Sequence, residues 1–151
     1  MNWHEIFEYK DGVLFWKDAR GKKMKAGSRA GCINNIGYRR VKVCKKDFFE
    51  HRIIFEMFNG YCPNIIDHVN GVRDDNRIEN LREATYRLNA VNQHRPPKGN
   101  TSGFLGVYWH KGAEKWIARV GKKYLGCYDC LGVAIRVQNE ARKNLINELV
   151  K

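Results

Sequence analysis

Apolar positions change their spacing several times along this chain, and each change marks an element. Ile6–Tyr9 and Val13–Trp16 are short apolar-rich runs on either side of Asp11-Gly12, a pair suited to a tight hairpin turn. Tyr38–Val43 predicts a further strand. Across His51–Phe58, Ile54, Phe55 and Phe58 recur at helical spacing, with Asn59-Gly60 as the stop. Ile65–Val69 then predicts a strand, followed by a turn rich in Asn, Gly and Asp. A short helix is expected from Tyr86 to about His94, with Thr85 as its N-cap. The stretch RPPKGNTSG, residues 95–103, is the linker expected from its prolines, glycines and small polar residues. Beyond it, residues 104–151 predict three short strands and a helix. Trp116, Ala118 and Val120 fall on one face of the middle strand, with Ile117 and Arg119 on the other. In the last helix Ala134, Val137, Ala141, Leu145 and Leu149 follow steps of three and four, a core-facing stripe. The fold class is therefore α+β in two modules, residues 1–94 and 104–151, the second a small three-stranded antiparallel sheet packed on one helix.

Charge adds a partner to this picture. The 151 residues carry 28 Lys and Arg against 16 Asp and Glu, a formal charge of +12. Such an excess favours a polyanionic partner over an acidic metabolite. Ten basic residues and no acid lie between Arg20 and Lys46: Arg20, Lys22, Lys23, Lys25, Arg29, Arg39, Arg40, Lys42, Lys45 and Lys46. Of these, Arg39, Arg40, Lys42, Lys45 and Lys46 are expected to contact phosphates. Residues 95–151 hold +7 of the charge and residues 1–94 the other +5. No apolar run approaches the ~20 residues of a membrane span, and MNWHEIFEYK lacks the pattern of a secretory signal. A cytoplasmic, non-secreted protein without membrane contact is the expectation. The odd count of five cysteines points the same way, to reduced thiols.

The residues able to do chemistry cluster between 51 and 92. Asp67-His68 is followed by Asn70-Gly71, then by DNRIENLR (75–82), then by Asn89; twelve positions separate His68 from Asn80 and nine separate Asn80 from Asn89. Taken in order, this string resembles the HNH endonuclease family in its phage and intron-encoded branch. The resemblance implies a ββα-metal core over about residues 64–94, two short strands and a helix around one divalent ion, and hydrolysis of DNA phosphodiester bonds. It assigns Asp67 and Asn89 as metal ligands, His68 as the base that activates water, and Asn80 as the residue that braces the turn and holds His68. Asn89 stands where many members carry His. An oxygen-rich ligand pair suits Mg²⁺, or Mn²⁺, better than a softer ion. Asp67 and His68 are neighbours, so in a regular strand they face opposite sides; sharing a site requires the strand to end or bulge there. Asp74, Asp75 and Asn76 read as turn residues only. His51 reads as a packing or phosphate-positioning residue.

Residues 102–141 carry a second resemblance. SGFLGVYWH, KWIARV, YLGCYD and the helix from Ala134 are similar to an APETALA2-type DNA-binding domain. That resemblance implies a sheet laid in the major groove, with Arg119, Tyr108, His110, Lys111, Lys115, Lys122 and Lys123 as contact residues. Leu105 stands where relatives place a base-contacting Arg, so their base preference does not carry over. Cys127 and Cys130 form a lone C-x₂-C pair; no structural zinc is expected, and both read as buried free thiols.

Together these readings describe a homing-type or phage-encoded endonuclease. It acts on double-stranded DNA as a monomer or weak dimer and nicks one strand per active site. Two rivals remain: a non-cleaving DNA-binding regulator using the first module as a scaffold, and an RNA-binding protein supported by charge alone.

Overall fold

The computed structural model describes residues 1–19, 21 and 24–151. Arg20, Lys22 and Lys23 of the basic run lie outside the described residues. The chain divides into two compact units, Met1–Ala84 and Thr85–Lys151. No helix among the described residues is long and apolar enough to cross a membrane.

The first unit opens with a one-turn helix, α1 (Trp3–Ile6), where sequence pattern alone placed Ile6 in a strand. The helical turn brings Trp3 and Ile6 to the same side, and both are buried. Strands β1 (Phe7–Lys10) and β2 (Val13–Trp16) form an antiparallel hairpin. Asp11 and Gly12 join them with φ of 46° and 82°, the doubly left-handed turn that matches strand twist. Three strands follow: β3 (Cys32–Ile33), β4 (Arg39–Val43) and β5 (Lys46–Phe49), in the order β3-β4-β5. Strict alternation along β4 sends Val41 and Val43 into the core and Arg40 and Lys42 to solvent. Helix α2 (Glu50–Asn59) runs on directly from β5 and ends at Gly60, left-handed at φ 77°. Its Ile53, Ile54 and Phe55 pack with Phe7, Leu14, Trp16 and Val41 as one core. A hairpin of β6 (Ile66–His68) and β7 (Leu81–Glu83) completes the unit, entered through a 3₁₀ turn at Ile78–Asn80.

The second unit begins with α3 (Tyr86–Val91), whose N-cap is Thr85: its Oγ1 accepts the Leu88 N–H at 3.1 Å. Strands β8 (Val107–His110), β9 (Lys115–Val120) and β10 (Lys123–Tyr128) form an antiparallel sheet in the order β10-β9-β8. Helix α4 (Leu131–Val150) packs across β9 and β10, closing a small core of Val107, Ala118 and Ala134 with Trp116, Leu125 and Ile135 around it. Arg142 of α4 donates to the carbonyls of Val91 and Gln93, which ties the end of α3 to this helix. The Pro- and Gly-rich segment 95–103 therefore lies within the second unit. Its last residues are folded, since Asn100 and Ser102 both donate to the Val107 carbonyl.

Candidate functional site

The site grows from the turn between β6 and β7. The ladder is regular through Asp67↔Arg82 and His68↔Leu81, and β6 ends at His68 without a bulge. Asn80 clamps the connecting loop from both sides. Its Oδ1 accepts the Asn70 N–H (3.0 Å), its Nδ2 donates to the Asp75 carbonyl (2.7 Å), and its own carbonyl accepts the Val69 N–H (2.9 Å). Asp75 organises the loop further by taking two bonds from the Arg77 guanidinium, one from the Arg77 N–H and one from the Asn70 side chain. Those bonds hold its carboxyl well below the usual range.

His68 is buried at the end of β6. Its Nε2 lies 3.0 Å from Asn76 Oδ1, and its ring meets His51 edge-on at 5.1 Å and Tyr38 at 5.9 Å. Burial lowers its pKa from the ordinary imidazole value, while the Asn76 bond and the charges of Asp67, Asp75 and Asp74 pull the other way. The neutral ring able to accept a proton is thus favoured. Asp67 leaves the strand on the alternate face. Arg82 Nε and Nη2 both donate to its Oδ2, at 2.9 and 2.7 Å.

Behind His68 lies a buried polar chain that sequence reading missed. Asn76 is 1% exposed, so it is more than a turn residue, the role its polar neighbours implied. Its Nδ2 donates to Glu50 Oε2 at 2.7 Å. Glu50, fully buried, also accepts the Leu14 N–H and lies 3.5 Å from Arg39 Nε. Glu50 stands three and four residues before Ile53 and Ile54, so the helical stripe could have revealed its burial. Arg82 was legible as the partner across from Asp67 once the hairpin was drawn. Asn76 carried no such signal.

Arg39 requires a correction. It was expected on a phosphate-contacting surface, but the alternation of β4 turns it inward, to Glu50 and the Gly31 carbonyl. Arg40, Lys42, Lys45 and Lys46 are exposed, with Arg40 paired to Asp47 at 3.3 Å. His51 is buried and neutral: desolvation, with the neighbouring His68 and Arg52, lowers its pKa to about 3. The cysteines need a second correction. Cys127 and Cys130 are exposed, because Cys127 faces away from α4 beside Tyr124 and Cys130 sits outside the first turn of that helix.

In the second unit Asn89 lies exposed on α3. The register of the sheet places Tyr108 opposite Ile117, His110 opposite Lys115 and Tyr124 opposite Arg119, all on the face turned from α4. Arg119, His110, Lys111, Lys122 and Lys123 are exposed; Tyr108 is half-buried and Lys115 pairs with Asp129 at 3.1 Å.

Residues 48–91 match the HNH endonuclease family. The matched span contains the whole β6–β7 hairpin and runs on into α3. The chain is also similar to Protein 3.8 of Escherichia phage T7, 38% identical over 68 residues, which cover 44% of this chain and 55% of that protein. It thus spans about half the length of this curated relative. No solved structure matches. The match supports a nuclease-type domain at these residues. Nucleases of this family are generally dependent on a divalent metal. Among the described residues no three His, Cys, Asp or Glu side chains gather into a metal cluster. The donors present near the turn are carboxylate and amide oxygens, a hard set that fits an ion retaining much of its own water.

Proposed function

We propose that this protein is a metal-dependent DNA endonuclease that nicks one strand per engagement, with His68 as its general base. What carries the reading is a buried, neutral imidazole, fixed at 3.0 Å by Asn76 at the end of a strand inside the HNH match. Family resemblance assigns the Asp67 carboxylate as a ligand of the ion. A divalent ion bound there, Mg²⁺ or Mn²⁺, would supply charge neutralisation at the phosphate and stabilisation of the 3′ leaving oxygen. His68 accepts a proton from the attacking water as the water oxygen bonds to phosphorus and the bond to the 3′ oxygen breaks. The products are 5′-phosphate and 3′-hydroxyl ends. Arg82 fixes the Asp67 carboxylate, and Asn80 keeps the loop closed behind His68. The three-stranded sheet of the second unit chooses the site on DNA through its Tyr- and Arg-bearing face. Phage-encoded or homing-type origin accords with the phage relative.

Supercoiled plasmid incubated with the protein and Mg²⁺ is the direct test. Open circles should form, EDTA should stop them, and His68→Ala should lower the rate by about 10²–10⁴-fold. Cleavage by His68→Ala at the parental rate would refute the base assignment; binding without cleavage in any divalent metal would favour a regulator.

A further inference from the structure

Glu50 opens α2 and is completely buried, yet its two oxygens face different donors. The Leu14 N–H donates to Oε1 at 3.1 Å; Asn76 Nδ2 donates to Oε2 at 2.7 Å, and Arg39 Nε lies 3.5 Å from the same oxygen. Burial pushes the Glu50 pKa up, while these donors and the Arg39 charge favour the ionised form. All three neighbours are donors, so both Glu50 oxygens act as acceptors. Asn76 must then turn its NH₂ towards Glu50 and its carbonyl towards His68. That carbonyl lies 3.0 Å from His68 Nε2 and cannot donate, so Nε2 must carry the hydrogen. In a neutral imidazole the lone pair is then on Nδ1.

We propose that Glu50 is a positioning residue which, through Asn76, holds His68 in its Nε2–H tautomer, the neutral form whose lone pair lies on Nδ1. The inference rests on His68 being the base but concerns how the protein orients it. It leads to an unusual outcome for a near-isosteric change. In Glu50→Gln, the Leu14 N–H still requires an oxygen, so the new amide turns its NH₂ to Asn76. Asn76 must reverse, offering its own NH₂ to Nε2, and His68 switches to the Nδ1–H tautomer.

Imidazole ¹⁵N NMR at pH 8, with His68 assigned by its loss in His68→Ala, reads this directly. The parent should show a protonated Nε2 and an unprotonated Nδ1. Glu50→Gln should exchange the two shifts and lower kcat about 10²-fold or more, with KM for DNA unchanged. Asn76→Ala removes the fixed acceptor, so it should give mixed tautomers and a smaller loss in kcat, and it tests the idea even if Glu50→Gln fails to fold. A parent protein with Nδ1–H, or a folded Asn76→Ala whose His68 shifts match the parent's, overturns the proposal. Cleavage by His68→Ala at the parental rate would instead sink the base assignment while leaving the tautomer result standing.

Discussion

At the scale of single residues, His51 shows how burial is converted into a dependence on pH. Its ring stacks on Phe49 at 5.5 Å, meets His68 at 5.1 Å, and is 7% exposed, with Nδ1 lacking a hydrogen-bond partner among the described residues. The folded pKa is about 3, against an unfolded value of about 6.5. Between these values the unfolded chain binds a proton that the native state refuses, so stability is complete above about pH 6.5 and declines as pH falls towards 3. One such group gives a slope near 1.4 kcal/mol per pH unit inside that window. His51→Phe keeps a ring of similar size and removes the titration. Urea unfolding of parent and variant from pH 7 to pH 4 should show the variant's stability changing less steeply, by about 1 kcal/mol per unit. Equal slopes would mean that His51 is already charged in the native state.

At the scale of elements, local chemistry was legible where one residue type decides the geometry. Thr85 capped α3, Gly60 ended α2 and Asp11-Gly12 turned the first hairpin, as their side chains or lack of them require. What the sequence hid was direction. A run of basic residues says nothing about which of them a strand turns inward, and Arg39 went to Glu50 while Arg40 and Lys42 stayed outside. Nor does a polar turn reveal that one of its members, Asn76, is held between a helix and a histidine. In the second unit the decisive position is Gly106, left-handed at φ 69° just before β8. A Cβ there would lie 2.2 Å from the Arg119 carbonyl and 3.0 Å from Gln138 Nε2. The strained φ alone costs an alanine about 1–2 kcal/mol, and the backbone clash adds to it. Gly106→Ala should therefore speed amide exchange along β8 and β9 by at least about tenfold, and leave Val41 and Ile53 of the first unit protected as before. Unchanged protection at Ala118 would show that the β8–β9 junction tolerates a side chain.

At the scale of the whole molecule, the surplus of +12 is organised as well as large. Residues 95–151 hold +7 of it. The sheet there turns Arg119, His110 and two tyrosines away from α4, and no strand residue on that face is acidic. Packing does not require this composition, because the core of the unit is supplied by the opposite face, Val107, Ala118 and their neighbours. A sheet face that carries cations and rings around one buried isoleucine, Ile117, is suited to phosphates and stacked or exposed base edges. Each phosphate neutralised contributes about 0.9 to the slope of log affinity against log salt. If Arg119 contacts the backbone, Arg119→Ala should weaken duplex binding by a similar factor on every sequence and reduce that slope by about one. If it reads a base, the slope should hold while discrimination at one position falls, costing about 1–3 kcal/mol. In both cases single-turnover nicking at saturating protein should match the parent, because the proposed function gives Arg119 to DNA binding and His68 to the cleavage step. Loss of nicking at saturation would give Arg119 a part in the chemistry; parental affinity at every salt concentration would remove this face from the DNA contact.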